Sequence, residues 1–190
     1  MLTAFWVACS NGSNQKVSGT TQDSSLRFLP VTSFIQSELA VIDSLPVTIL
    51  QIHKENGKAD SIWLKREAVR PLLHPFISDE IGETNLLPWF QETKFNDLTI
   101  ESITFTYTPK STLPDSIRLR QWNVYVNSET GRIRKVYIQK EWSDRNILQQ
   151  LTWTNGKSAS INTLEEKADG TTEFIKGDHF IWDFTSSNTP

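Results

Sequence analysis

From residue 103 onward the chain alternates between apolar and polar positions. Ile103, Phe105 and Tyr107 alternate with Thr104, Thr106 and Thr108, the period of a strand with one buried face. In 117–126, Ile117 and Leu119 stand in one phase and Trp122, Val124 and Val126 in the other. A bulge near Gln121 would bring all five to one face, because one extra residue restores the alternation. Residues 132–142 answer with Val136, Ile138 and Trp142 in phase, and 147–154 with Ile147, Leu151 and Trp153. Strands at 157–165, 171–175 and 180–184 complete the series. The turns fall between them: 127–131 with Gly131 at its end, 143–146, Asn155 with Gly156, and Asp169 with Gly170.

The first third has a different period. Val31, Phe34, Ile35, Leu39 and Ile42 recur at helical spacing after Pro30, with Thr32 or Ser33 as the N-cap. Residues 47–53 read as a strand, Asn56 and Gly57 as a hairpin turn, and 60–64 as the returning strand. A second helix spans 66–77, with Ala68, Val69, Leu72, Leu73 and Phe76 on one side. Pro71 and Pro75 make it irregular, since each removes a backbone donor. Residues 78–98 are acidic and turn-rich, and no strand is predicted there. Short turns between successive strands imply an antiparallel meander, so the fold class is α+β. The pattern predicts a curved sheet of about seven or eight strands with two N-terminal helices on one face, half-barrel-like because long sheets curl. Phe105, Trp122, Val136, Ile138, Leu151, Trp153 and Trp182 should face one core against Ile35, Leu39 and Leu72.

Ahead of this pattern lies an apolar run at 1–8, then Cys9, the only cysteine, then a polar stretch without period at 10–25. Apolar run, small residue, cysteine and a Ser/Gly/Asn tether resemble the export signal and lipidation site of a bacterial lipoprotein. Ala8 and Ser10 fit that pattern; Trp6 stands where the family prefers Leu, and no basic residue leads the run. The expected organisation is a truncated signal at 1–9 ending in the lipidated Cys9, a disordered tether at 10–25, one domain at 26–185 and a disordered tail at 186–190. A Gly/Ser-type tether of that length reaches roughly 20–25 Å. With the leader removed there is no cysteine to form a disulfide, so the fold must stand on packing, for which seven Trp and ten Phe supply the area. A net charge of −3 argues against a nucleic-acid partner.

The resemblance extends into the domain. Residues 46–61, 92–99 with 102–107, and 151–157 with 181–184 look like a group of Bacteroidota (Chitinophaga-like) envelope lipoproteins whose function is unknown. It implies an outer-membrane anchor facing the periplasm and brings no catalytic residue with it. A looser similarity of shape links the chain to half-barrel lipoprotein carriers, which hold acyl chains between a sheet and a helix.

Chemical signatures are sparse. The sequence has no Gly-rich phosphate loop, paired CxxC, HExxH or GxSxG. His53, His74 and His179 stand on separate elements without metal-ligand spacing. Asp178 and His179 with Glu173 or Asp183 would orient an imidazole as in a hydrolase, but no nucleophile motif accompanies them. The acids at Asp79, Glu80 and Glu83 and at Glu165, Glu166 and Asp169 lack calcium-loop order and read as solvated loops. No metal, cofactor or catalytic residue is therefore expected. One hairpin concentrates Arg118, Arg120, Arg132, Arg134, Lys135 and Lys140 among Trp122, Tyr125, Tyr137 and Trp142. Cations on the solvated face of a sheet explain this. The competing reading makes Arg118, Arg120, Arg134 and Trp122 the rim of a site for an anionic head group. The expected function is a non-catalytic envelope lipoprotein with an apolar or amphipathic ligand between the sheet and the 34–42 helix. A scaffold module for envelope proteins is the alternative, and a hydrolase has the least support.

Overall fold

The computed structural model describes residues 28–44, 46, 48–81, 85–97 and 101–183. Cys9, the 10–25 tether, Glu83, Phe184 and the 186–190 tail lie outside the described residues. Helix α1 is Val31–Ser44; the hairpin β1 (Ile49–Glu55) and β2 (Lys58–Leu64) follows, then α2 (Arg66–Leu73). Seven strands close the chain: β3 (Phe90–Asp97), β4 (Ser102–Pro109), β5 (Leu119–Asn127), β6 (Ile133–Trp142), β7 (Ile147–Thr154), β8 (Ser158–Glu166) and β9 (Thr172–Ile181). All nine form one antiparallel sheet in the order β2-β1-β9-β8-β7-β6-β5-β4-β3, with β2 and β3 as open edges.

The count is nine rather than seven or eight, and only one helix precedes the sheet; α2 sits between β2 and β3. The missed strand is β3, an edge strand whose burial stops at Phe90, so its sequence carries no apolar alternation. The strands expected at 171–175 and 180–184 are one strand, β9, which passes through Gly177 without turning. The bulge expected near Gln121 is present. Between Leu119 and Gln121, β5 advances two residues while β6 advances one, which leaves Arg120 as the extra residue.

Local chemistry accounts for the connections. Asn56 and Gly57 both have positive φ (52° and 72°), the pair that a two-residue hairpin needs. Asn127 Oδ1 accepts from the backbone N–H of Glu129 and Thr130 and from the Thr130 hydroxyl, which folds the β5–β6 turn before Gly131. Pro71 and Pro75 end α2 at Leu73 and turn the chain into a 3-10 turn at His74–Phe76. Thr32 does not cap α1. Its hydroxyl accepts from the Ile81 N–H at 2.8 Å and donates to the Asp79 carbonyl at 3.0 Å, fastening the helix to the segment after α2.

Val31, Ile35, Leu39 and Ile42 of α1 share one buried cluster with Trp122, Val136, Ile138, Leu151 and Trp153, and Phe105 and Trp182 pack against it. Leu73 takes the inward position expected of Leu72, which is exposed. Helix α2 presents Val69 and Leu73 to the core.

Candidate functional site

Strand side chains alternate in direction, so the sheet has two faces of different chemistry. On the face toward α1, Trp122 and Tyr107 stack with ring centroids 4.5 Å apart and planes 10° from parallel. Phe28 stands edge-on to both, and Phe90 tilts against Trp122 at 4.8 Å. A second nest joins Trp153 to Phe76 at 5.3 Å and to Trp182 at 5.2 Å. These rings pack on the side of the sheet where a ligand was expected. The Tyr107 hydroxyl accepts from the Leu29 N–H, and burial pushes its pKa well above the ordinary phenol value. Trp122 and Trp153 are fully buried with their indole N–H groups unpartnered. Trp122 is thus a core residue, not part of a rim as the sequence reading placed it.

The cations of the β5–β6 hairpin are dispersed. Arg120 occupies the β5 bulge, where Nε meets Glu141 at 3.0 Å and Nη1 donates to the Ile117 carbonyl. Ser143 and Arg120 together hold the Glu141 carboxyl below its usual pKa. Arg134 occupies the second bulge, opposite the step from Tyr125 to Val126, beside the β7–β8 turn. Arg118 lies over the Trp142 ring at 5.3 Å, at the mouth of a cleft of about 490 Å³ that also involves His74, Asp79, Asp115 and Lys140. Among the described residues the Arg118 guanidinium makes no ion pair.

Lys140 breaks the expectation of a solvated cation. It sits opposite Leu119 on the helix-facing side of the sheet, its side chain 3% exposed. Its Nζ donates to the Pro75 carbonyl and to Ser78 Oγ at 2.8 Å, and pairs with Asp79 at 2.5 Å. Desolvation pulls its pKa below the usual lysine value against the attraction of Asp79. As an ammonium, Lys140 directs all three N–H bonds at these partners. It closes the end of the 3-10 turn onto the sheet.

The outer face carries almost no charge in its middle. One row across the strands runs Thr106, Asn123, Tyr137, Thr152 and Ser160. The next runs Gln121, Gln139, Gln150 and Asn162. All nine are partly buried by their neighbours. Some are tied along the strand, with Gln121 donating to Asn123 and the Tyr137 hydroxyl to Gln139. Beyond Asn162 the second row reaches Gly177, where a Cβ would stand 2.6 Å from Asn162 Oδ1 and 3.0 Å from the Phe174 ring. Phe174 lies over this glycine yet remains 47% exposed. A cavity of about 330 Å³ opens there, between Ile52, Lys54, Ser160, Asn162, Phe174, Asp178 and His179.

The histidines do not converge. Asp178 and His179, adjacent on β9, point to opposite faces. Asp178 binds His53 Nδ1 at 2.8 Å and accepts from Gln51 at 2.8 Å, so it orients His53 rather than His179. That pairing raises the His53 pKa, whereas partial burial and Lys54 lower that of His179. Glu173, the other proposed partner, pairs with Lys167 together with Glu165. Asp169 accepts from the Thr171 N–H and hydroxyl in its turn. Among the described residues no group of three His, Cys, Asp or Glu side chains stands close enough to hold a metal ion, and no helix is long and apolar enough to cross a membrane.

Sequence reasoning missed the burial of Lys140, the His53–Asp178 pair and the uncharged outer face. The signal for the last was present. The middle of each central strand's polar phase is written in Thr, Asn, Gln, Ser and Tyr, with Lys135 and Glu141 only toward the ends of β6, where a solvated sheet would carry Lys and Glu throughout. Comparison with protein-family models, curated proteins and solved structures finds no match for this chain.

Proposed function

We propose that the chain is a non-catalytic binding module of the bacterial envelope, held at the outer membrane by a lipid on Cys9 and facing the periplasm. In this reading the sheet curves around α1 as a half-barrel whose hollow is taken up by the protein itself, and the partner meets the domain at its surface. One observation carries it: Trp122, Trp153, Tyr107, Phe76 and Phe90 are all fully buried on the helix-facing side. A carrier needs a cavity of about 300 Å³ or more in that place.

A second reading, binding of an amphipathic small molecule, has one observation in its favour. Arg118 rests on Trp142 at the mouth of the 490 Å³ cleft with its donors directed to no carboxylate among the described residues. Native mass spectrometry of protein purified from its own envelope separates the two. The binding-module reading expects the mass of the chain and its anchor alone. A stoichiometric lipid lost in Arg118→Ala would replace it with the second reading. Cys9→Ser should release a folded protein from the membrane fraction, and retention of that variant would remove the lipoprotein part of the proposal.

A further inference from the structure

We propose that the outer face of the sheet binds a neutral, hydroxyl-rich polymer, a glycan without acidic or amino groups, with one sugar ring seated against the exposed side of Phe174. The inference rests on the reading of the chain as a non-catalytic binding module and names the partner class.

The first support is the kind of polar group presented. Amides and hydroxyls both donate and accept, which matches sugar hydroxyls, themselves donors and acceptors. Stripping water from such groups costs far less than stripping it from a charge. The two rows through Thr152 and Gln150 contain no charged residue from β5 to β8, although 41 of the 190 residues are Lys, Arg, Asp or Glu (19 + 22). Along those rows a charged peptide or a nucleic acid would meet no countercharge; charge enters only at the cavity beyond Asn162, with Lys54 and Asp178. Adjacent strands present these groups about 4.8 Å apart, a regular ladder suited to a repeating ligand.

The second support is the cavity at the end of the ladder. The Asn162 and Phe174 side chains close over Gly177, and the half-exposed Phe174 ring gives an apolar wall for the C–H face of a sugar. Ser160, Asn162 and His179 supply polar groups around it, together with Lys54 and with Asp178, which His53 and Gln51 hold, and its volume of about 330 Å³ suits one small ring. Covering a glycine explains where Phe174 lies but not why so much of the ring is left in water.

The test uses the full chain with microcrystalline cellulose, chitin and insoluble starch as neutral matrices and a polygalacturonate resin as the anionic one. Retention is expected on at least one neutral matrix, competed by the corresponding soluble hexasaccharide. Phe174→Ala and Gln150→Lys should each weaken hexasaccharide binding about tenfold or more in titration calorimetry, with unchanged circular dichroism. If Phe174→Ala fails to fold, Gln150→Lys decides, since its side chain lies on the solvent side. No retention on any neutral matrix, preference for polygalacturonate, or binding indifferent to Gln150→Lys would overturn the proposal. So would a dimer in sedimentation that Gln150→Lys dissociates, which would give the face to a second copy. These failures leave the binding-module reading standing. A co-purified interior lipid or catalytic turnover would sink that reading while leaving glycan retention measurable.

Discussion

The two faces of this sheet are built from the same strands and differ by one step along each of them. At Trp153 the chain buries an indole between Phe76 and Trp182; at Thr152 it presents a hydroxyl to water in the uncharged ladder. The inner face tolerates two orphaned indole donors because the rings fit around them, while on the outer face Gln121 with Asn123 and Tyr137 with Gln139 pair along the strand. Stability therefore belongs to one face, and recognition is open to the other.

The largest test of this contrast is Trp153→Ala, which should lower unfolding stability by about 3–5 kcal/mol through the cavity it leaves. Thr152→Ala, one residue away on the other face, should stay within about 0.5 kcal/mol. Urea midpoints measure both, and similar losses would erase the distinction.

Among the described residues Lys140 is the one buried charged side chain, so removing it should behave like a core change. Lys140→Ala should cost about 1–3 kcal/mol, below a fully buried pair because Asp79 still meets water; Lys140→Met, which keeps the packed stem, should cost less. Burial holds the folded pKa below 10.5, so the unfolded chain binds that proton more tightly. Stability of the wild type relative to Lys140→Met should accordingly rise with pH between the lowered value and about 10.4. A pH-independent difference would mean that the ammonium is not desolvated.

Gly177→Ala asks whether the outer face can give way. The added methyl meets only the ends of the Asn162 and Phe174 side chains, which can swing aside, so about 1 kcal/mol is expected. A shift of the Phe174 ring resonances should accompany it. A loss of several kcal/mol would show that the outer face is packed as rigidly as the inner.

The smallest effect concerns His53. Its bond to Asp178 raises its pKa above 6.5, so the pair contributes stability that is full below about pH 6.5 and lost as pH rises through the raised value. An NMR titration should place His53 above His179, and Asp178→Asn should bring it down. An unchanged His53 titration in that variant would remove the pair.

Much of this was legible in sequence, where physics is local. The hairpin at Asn56 and Gly57 follows from positive φ, the broken α2 from Pro71 and Pro75, and the β5 bulge from a slip in apolar phase. The inward set from Phe105 to Trp182 followed from period alone. Where the reading failed, a residue's fate depended on something far along the chain. Leu72 and Leu73 fit one helical stripe equally well until packing against the rest of the fold selects Leu73. The strand β3 has no apolar phase because its position at the edge gives it almost nothing to bury.

The candidate surface shows the same division. Alternation by itself determined that Thr, Gln, Asn and Tyr would share a face, because the side-chain period of a strand is two. Only the tertiary structure decided what that face would be. Register aligned Gln121, Gln139, Gln150 and Asn162 into one row, the two bulges moved Arg120 and Arg134 to the ends of their hairpin, and β1 docked against β9 to complete the cavity beside Phe174. The reason is physical: burial and turn chemistry act over a few residues and are written locally. Lateral order and the filling of the space beneath α1 depend on long-range pairing, whose free energy belongs to the whole sheet.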